Sequence, residues 1–399
     1  MSYKVLIHDL VAQGHGVKNW NALLGSHAWK QWVAEGNQAE CLVPPSLREQ
    51  LAGGLSDRKL GQGTHFLQTT GSWKSDNWHS RFNIFRELQR AVKQKKYDML
   101  LIQYSDYLVP FLPLLHGSSC ALPTIALYFR PFLHYSDTGC KIGKKAGLEK
   151  GVLAATLKEK ILQICLRRNW LRQVGFQDQA AVRWYQSKGY RAFYFPAPLS
   201  DNVISPLEKL PQSRSTFLLF GALSLRKGLG EVLQAGEKMD STDSRKIRFL
   251  IRGAVYPPDY QLLIKKIKLL EEKGIEVDFC DGFVPQAAIR GLYAAADAVF
   301  VFYQGLIAGG SGVLAQAAAY GRPVLATEVG WIGKAVRENG LGITIPAGDA
   351  RGLIEAMKKV LKREVKFDLK LAMKFAEQSS PENYGRQIVK ALRETAESK

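Results

Sequence analysis

The sequence predicts an α/β protein with two doubly wound, mainly parallel, Rossmann-like sheets that face each other across a cleft. Apolar strands rich in β-branched residues alternate with helical segments along most of the chain, which is the pattern of parallel sheets. The chain has 399 residues, which is long for one core and favours two domains. Residues 198–215 are enriched in Pro and Ser and lack periodicity, so we expect them to link the domains.

The predicted N-terminal domain spans residues 1–197 and opens with a strand followed by a turn that contains Gly14 and Gly16. Residues 45–80 are polar and lack clear periodicity, which predicts a long loop. Helices are expected up to Ala34, at 81–95 and from about Lys150 onward, and strands at 3–9, 40–43, 97–103, 124–129, 171–176 and 191–195.

The helix that begins near Lys150 belongs to a basic stretch, Lys141–Arg172, and has one apolar face. That face contains Leu153, Leu157, Ile161, Ile164 and Cys165, with Lys160 and Arg167 on its flank. Two interpretations stay open. The face packs on the helix's own sheet, or it meets an anionic membrane surface or an acidic acceptor.

The predicted C-terminal domain spans residues 216–380 and repeats the strand–helix alternation. A last helix, 381–399, begins at Ser380 and Pro381, which suit the N-cap and first helical position, and we expect it to pack back on the N-terminal domain. Within the domain, strands are expected at 216–224, 247–252, 275–280, 298–303 and 323–327, and helices at 227–239, 258–273, 286–295, 313–320 and 349–361.

The stretch from Asp297 to Trp331 reads as strand, glycine-rich turn, helix and strand, which is a βαβ unit. Ser311 suits the N-cap of the helix, and Gln316 lies on the same side of it as Gly312. The free amides of such a helix N-terminus can hold an anion. The alternative is an ordinary βαβ unit whose small residues only allow close packing.

A second candidate anion site ends the first strand of the same domain. Ser224 is expected to cap the next helix, with Arg226 and Lys227 in its first turn. Cations at this end oppose the helix dipole, which makes sense if a diphosphate occupies the site. The alternative is a pair of solvated surface cations.

The net charge of +19 is uneven, because residues 1–200 hold 26 Lys and Arg against 13 Asp and Glu. A basic half implies an acidic partner, which could be nucleic acid, an anionic membrane surface or a phosphorylated substrate. Only the charge favours nucleic acid, since basic and aromatic residues are not interleaved as in RNA-binding domains. Five scattered cysteines without CxxC spacing and the lack of a signal-peptide cleavage site predict a cytoplasmic protein with reduced thiols.

Several common chemistries fit the sequence poorly. There is no Asp-x-Asp pair, and the seven histidines all precede residue 135 without metal-ligand spacing, so we expect no metal. There is no phosphate-binding GxxxxGK[ST] loop, complete dinucleotide fingerprint or GxSxG elbow. We therefore expect no ATP, NAD or other cofactor.

Four motifs in order carry a resemblance to a known family: FGALSLRKG from Phe220, GFVP from Gly282, AAADAVF from Ala294, and QAAAYGRPVLATEVGWIGKAVRENGLG from Gln316. They resemble the nucleotide-sugar domain of GT-B glycosyltransferases, specifically glycosyltransferase family 4. The resemblance covers about residues 216–362, and the N-terminal half only in outline. It implies the GT-B fold, with residues 1–197 binding the acceptor and residues 216–380 the nucleotide sugar.

The resemblance also implies an activity: retaining, metal-independent transfer of a hexose from a nucleoside-diphosphate sugar to a glycan, lipid-linked or phosphorylated acceptor. A role in polysaccharide biosynthesis and a peripheral position on the inner membrane face would suit it. By carry-over, Lys227 and Arg226 hold the diphosphate, and Phe283 and Val284 flank the base. Donor contacts also fall to Ser311, Gly312, Val313 and, from across the cleft, Gly14 and Gly16.

The sequence departs from the family pattern at several positions. The family usually carries a pair of glutamates, and here Ala308 and Gln316 occupy the two positions. Gln316 can still bond a ribose hydroxyl, although without a carboxylate's charge. Phe129-Arg130 stands where the resemblance places the family's N-domain histidine, so His15, Arg130 and His134 are the candidates for acceptor contact or catalysis.

These departures leave two alternatives open. One is a non-catalytic nucleotide-sugar-binding subunit, favoured by the replacement of both glutamates. The other is a nucleotide-sugar epimerase on the same fold, which would need cleft carboxylates that the sequence does not identify.

Overall fold

A computed structural model of the chain describes residues 2–10, 15–54, 63–67, 69, 78–94, 96–116, 122–137, 148–199, 203–303 and 310–398. Within these residues the chain forms two compact α/β units. Unit 1 contains the described residues through Pro198 and again from Ser379, and unit 2 lies between Leu199 and Gln378. No helix of the described part is long and apolar enough to cross a membrane.

Unit 1 is built on a parallel sheet with the strand order β3-β2-β1-β4-β5-β6-β7. The central strands are buried on both faces, as expected when helices cover both sides of a parallel sheet. The strands are β1 Lys4–His8, β2 Gln38–Leu42, β3 Thr64–Phe66, β4 Met99–Ile102, β5 Thr124–Tyr128, β6 Gln173–Phe176 and β7 Ala192–Tyr194. The helices are α1 His15–Gly25, α2 His27–Ala34, α3 Pro45–Gly54, α4 Trp78–Lys93, α5 Leu112–His116, α6 His134–Asp137, α7 Leu148–Arg167 and α8 Gln179–Ser187.

Unit 2 repeats this architecture with the strand order β10-β9-β8-β11-β12-β13. All its strand pairs are parallel. The strands are β8 Ser215–Phe220, β9 Ile247–Gly253, β10 Glu276–Asp281, β11 Ala298–Val301, β12 Val324–Thr327 and β13 Gly342–Ile345. The helices are α9 Leu229–Lys238, α10 Ser241–Ser244, α11 Tyr260–Glu272, α12 Gln286–Ala295, α13 Gly312–Ala319, α14 Gly330–Glu338, α15 Ala350–Leu361 and α16 Leu369–Gln378.

The C-terminal helix, α17 Pro381–Glu397, packs against α1 and α2 of unit 1. Ser380 is its N-cap and accepts a hydrogen bond from the Asn383 amide at 3.2 Å, which confirms the predicted helix start. The Gln173 side chain on β6 donates to the Ala391 carbonyl at 2.6 Å. Tyr384 donates its phenol to Gln103 at 2.8 Å, so the helix is tied to the sheet by polar as well as apolar contacts.

The prediction of a long loop over residues 45–80 is wrong. The chain forms α3 there, with proline at its first position, and the short strand β3 on the sheet edge. Leu47 and Leu51 are buried one turn apart, but two apolar residues are too few to produce a readable period. A three-residue edge strand leaves even less signal.

The packing interpretation of α7 is wrong for three of its five apolar residues. Leu153, Leu157 and Ile164 are exposed. The helix buries Glu159 instead, whose carboxylate accepts hydrogen bonds from the Phe132 amide at 2.8 Å and from two further donors. Leu162, Cys165 and Leu166 are buried on the same side, so the buried face differs from the predicted one and includes a glutamate that interrupts its apolar pattern.

His8, at the end of β1, predicts a pH dependence of stability. Burial lowers the pKa of its imidazole from 6.5 to about 3. Below pH 6.5 the unfolded chain binds a proton at His8 and the folded chain does not. The free energy of unfolding therefore decreases as the pH is lowered, by up to about 1.4 kcal/mol per pH unit. Denaturant titrations between pH 7 and 4 measure the free energy of unfolding, which should change less steeply with pH in His8→Leu than in wild type. Equal pH dependence in the two proteins would contradict the lowered pKa of His8.

Candidate functional site

The candidate site lies at the carboxyl edge of the unit 2 sheet, where the central strands β8 and β11 end side by side. Ligands of open α/β sheets bind at this edge. β8 ends at Phe220 and is followed by Gly221, and β11 leads into Phe302 and Tyr303. Three segments meet here: the turn after β8, the exit of β11 and the start of α13.

The turn after β8 differs from the prediction. The helix was expected to begin at Lys227 with Ser224 as its cap, but residues Leu225–Lys227 form a 3₁₀ turn and α9 begins at Leu229. The Ser224 side chain makes no capping bond. The Asp259 carboxylate caps the turn instead, accepting the Leu225 amide at 2.9 Å. A partner thirty-four residues away leaves no local sequence signal.

Gly228 makes the junction between this turn and α9 possible. Its φ is +84°, in the left-handed region that glycine tolerates best. A Cβ at this position would lie 2.0 Å from the Phe302 carbonyl oxygen. The turn is therefore held directly against the exit of β11, which fixes the place of Lys227.

Lys227 is half-buried and points toward the other two segments. Its Nζ lies 5.2 Å from the centroid of the Tyr303 ring, within the range of a cation–π contact. A Cβ built on Gly221 would lie 4.0 Å from this Nζ and 3.8 Å from Val313 Cγ2. Ala222, Ser224, Lys227 and Tyr303 line one small depression. Arg226 is exposed.

Ser311 holds the start of α13 in the site. Its hydroxyl accepts the Leu314 amide at 3.2 Å, which confirms the predicted N-cap, and lies 3.1 Å from the Tyr303 hydroxyl. Gly312 and Val313 form the first helical positions, where amides precede the intrahelical hydrogen bonds. One edge thus combines a cation with helix N-terminal dipoles, which is an arrangement that stabilises an anion.

Gln316 is buried in the first turns of α13, with 2% of its surface exposed. Its side-chain nitrogen has no hydrogen-bond partner among the described residues. A buried amide N–H without a partner costs free energy, so a ligand oxygen would be a favourable partner. Ala308, the other position where a family glutamate was expected, lies outside the described residues.

Ser311→Ala is expected to destabilise unit 2 by about 1 kcal/mol, because the helix loses its cap. Ser311→Asp should keep the cap and the stability, since a carboxylate accepts the same amide. The same carboxylate would repel an anion at the site. Thermal melts compare the variants, and equal melting temperatures for wild type and Ser311→Ala would contradict the capping role.

Phe283 and Val284 follow β10 at the same edge. Phe283 is 86% exposed, while Val284 is half-buried against the core of unit 2. The loops after β8, β9 and β10 abut through glycines. The Gly282 amide donates to the Gly253 carbonyl at 3.3 Å, and a Cβ on Gly253 would lie 1.8 Å from the Gly221 carbonyl oxygen. Phe283 therefore presents an exposed aromatic ring from a loop that packs tightly against its neighbouring loops.

The structure also places most of the unit 1 candidates. Gly14 lies outside the described residues; His15 and Gly16 begin α1, where Gly16 is buried. His134 is fully buried, with Nε2 2.8 Å from the Asp178 carboxylate, so it has no surface for a ligand in this structure. Arg130 is exposed just after β5.

Sequence reasoning missed three residues of the unit 2 site. Tyr303 was taken only as the end of a strand, and Asp259 and Gly253 were not singled out. Gly253, the last residue of β9, was a usable signal, because glycine in a strand often marks a close backbone approach. Asp259 gave no signal.

Comparisons with known proteins give a family match for part of unit 2 and similar folds for the chain. Residues 214–363 match the family model of group 1 glycosyl transferases. A search of curated proteins found no significant match. The whole chain has the fold of GT-B glycosyltransferases.

Three solved structures illustrate the fold. Sucrose-phosphate synthase from Thermosynechococcus elongatus is similar with a TM-score of 0.69 and 16% identity, with 100% of both chains covered. Anabaena HepE in complex with UDP has a TM-score of 0.66 and 14% identity over 98% of this chain and 100% of that one. WaaG, a glycosyltransferase involved in lipopolysaccharide biosynthesis, has a TM-score of 0.58 and 16% identity over 96% of this chain and 95% of that one. At these identities the likeness shows the fold alone.

Proposed function

Since residues 214–363 match the family model of group 1 glycosyl transferases and the chain has the GT-B fold, we propose that the protein transfers a sugar from a nucleoside-diphosphate sugar. The transfer is retaining and metal-independent, and the sugar is a hexose. The acceptor is a glycan, a lipid-linked sugar or a phosphorylated sugar, as suits polysaccharide biosynthesis. The observation that carries the proposal is the convergence of Lys227, Tyr303 and the N-terminus of α13 at one sheet edge.

The chemistry follows from this arrangement. When the sugar leaves its donor, negative charge develops on the departing diphosphate. Lys227 and the Gly312 and Val313 amides are fixed before the reaction, so they stabilise this charge without reorganising. The leaving group therefore needs neither a general acid nor a metal ion in this proposal. Phe283 and Val284 support the base, and the Gln316 amide donates to a donor hydroxyl.

The departure at Gln316 is compatible with donor binding. A glutamate there would accept a ribose hydroxyl proton, whereas the glutamine amide donates to the hydroxyl oxygen or accepts through its carbonyl. The bond to a neutral amide is weaker than a charge-assisted one. We therefore expect donor affinity to be lower than with a carboxylate, while the role of Lys227 is unchanged.

A panel of nucleoside-diphosphate sugars tests the proposal by thermal shift, followed by proton NMR of mixtures with candidate acceptor sugars. A bound donor at a hundredfold excess over its Kd should stabilise the protein by about 2.7 kcal/mol. The expected result is stabilisation by one donor and an anomeric product signal with retained configuration. Stabilisation without transfer or donor hydrolysis would instead indicate a non-catalytic binding subunit. No stabilisation by any donor would overturn the proposal.

A further inference from the structure

Three cationic side chains from different parts of unit 1 converge on the ring of Tyr107. The guanidinium carbon of Arg81 in α4 lies 4.4 Å from the ring centroid, and that of Arg130 lies 5.9 Å from it. Lys158 in α7 places its Nζ at 5.8 Å. Arg81 and Lys158 are half-buried and Arg130 is exposed, so the cluster reaches solvent.

The cluster occupies the carboxyl edge of the unit 1 sheet. Tyr107 lies in the segment that follows β4, and Arg130 in the segment that follows β5. These two strands are neighbours in the sheet. Ligands of doubly wound sheets bind at this edge, so the cations sit where a ligand is expected on topological grounds.

Asp106 and two aromatic rings hold the cluster in place. The buried Asp106 carboxylate accepts the Phe129 amide at 2.9 Å, which fixes the backbone directly before Arg130. The Tyr104 ring stacks on Phe129 with centroids 4.8 Å apart and lies 5.5 Å from the Tyr107 ring. The cations therefore rest on a rigid base, which lowers the entropic cost of binding.

The cluster brings three cations together beside one carboxylate, that of Asp106. Burial lowers the pKa of the Lys158 ammonium, and repulsion from Arg81 and Arg130 lowers it further against the attraction of Asp106. Burial raises the pKa of the Asp106 carboxyl, against the lowering effect of Arg130, the Phe129 amide and Lys158. An anion beside the three cations would relieve their mutual repulsion.

We propose that Arg81, Arg130 and Lys158 form a binding site for the phosphate group of a phosphate ester, with Tyr107 as its floor. Guanidinium groups match phosphate oxygens through paired hydrogen bonds, and the ammonium adds a point charge. The site stands on its own geometry. That the phosphate belongs to the sugar acceptor rests on the proposed function.

Two kinds of molecule carry such a group. The solvent-exposed end of the cluster admits a soluble sugar phosphate. Trp78 and Phe82 lie one turn apart on α4 and are 59% and 39% exposed, and Arg81 lies one turn after Trp78. This surface would suit an anionic lipid, with the phosphate of its headgroup at the cations and its acyl region against the aromatic rings.

The double variant Arg81→Gln/Lys158→Gln tests the site, with Arg86→Gln/Arg90→Gln as a control that removes the same charge from the exposed side of α4. Glucose 6-phosphate, with glucose as the uncharged comparison, is titrated by calorimetry. Phosphatidylglycerol and phosphatidylcholine vesicles are used in co-sedimentation. The test variant should bind at least about tenfold more weakly than wild type, because it loses two charge-assisted contacts. Lys158→Arg should retain binding and the control should match wild type.

Each outcome decides the proposal. Glucose 6-phosphate binding that only the test variant loses supports a soluble ester, and loss confined to phosphatidylglycerol vesicles supports a lipid headgroup. No binding of either probe by wild type, or equal binding by wild type and the test variant, overturns the site. UDP is titrated into the same proteins. Failure to bind UDP would count against the proposed function, whereas the phosphate site is tested only by the glucose 6-phosphate and vesicle experiments.

Discussion

The Lys227→Ala variant is expected to lose about 10²- to 10³-fold in kcat/KM for sugar transfer, which is about 2.7 to 4 kcal/mol of transition-state stabilisation. Lys227 is the cation that the structure directs toward the start of α13, beside Tyr303. A preorganised cation matters most when charge develops on the leaving group, so kcat should fall more than KM rises. Steady-state kinetics with the donor found in the thermal-shift panel measures both.

Lys238→Ala is the matched control, since Lys238 lies exposed in the last turn of α9, the helix that follows the turn carrying Lys227. It should keep wild-type kinetics, and both variants should melt close to wild type. Full activity of Lys227→Ala would remove Lys227 from the diphosphate site. Equal losses in the two variants would indicate a general effect of charge.

Gly228→Ala is expected to destabilise unit 2 by about 3 to 5 kcal/mol, which is at the upper end for single substitutions. Two costs combine: alanine strains the backbone at a φ of +84°, and its Cβ would overlap the Phe302 carbonyl. The collision is with backbone, so no side-chain rotation relieves it. Urea denaturation measures the loss, and the surviving folded protein should bind nucleotide poorly because the turn that carries Lys227 is displaced.

Gly291→Ala is the control for this substitution. Gly291 lies inside α12, and a Cβ there would meet nothing within 4 Å. Alanine should stabilise the helix by about 0.5 to 1 kcal/mol. A Gly228→Ala protein as stable as wild type would show that the turn does not depend on glycine and would remove the stated reason for the position of Lys227.

Much of unit 2 could be predicted from the sequence, because its elements carry strong local signals. The βαβ unit around Ser311 has an apolar strand, a capping residue and a glycine-rich turn, and the structure confirms the cap. The predicted range of α12, 286–295, agrees with the helix observed. Such local signals predict the structure correctly because the tertiary contacts favour the same conformation as the local sequence.

Features set by contacts distant in sequence could not be predicted. Asp259 replaces Ser224 as the cap of the turn after β8, and Glu159 is buried in α7 by hydrogen bonds from three donors outside the helix. The cluster around Tyr107 draws its cations from α4, α7 and the loop after β5. Its members follow no spacing pattern, so the sequence pointed to such a site only through the net positive charge of the N-terminal half and through Arg130, a candidate for acceptor contact.

A crystal structure of the protein with bound UDP tests the central claim most directly. We expect a diphosphate within hydrogen-bonding distance of Lys227 Nζ and the Gly312 and Val313 amides, with the uracil beside Phe283 and Val284. UDP bound elsewhere, or bound here without a contact to Lys227, would contradict it.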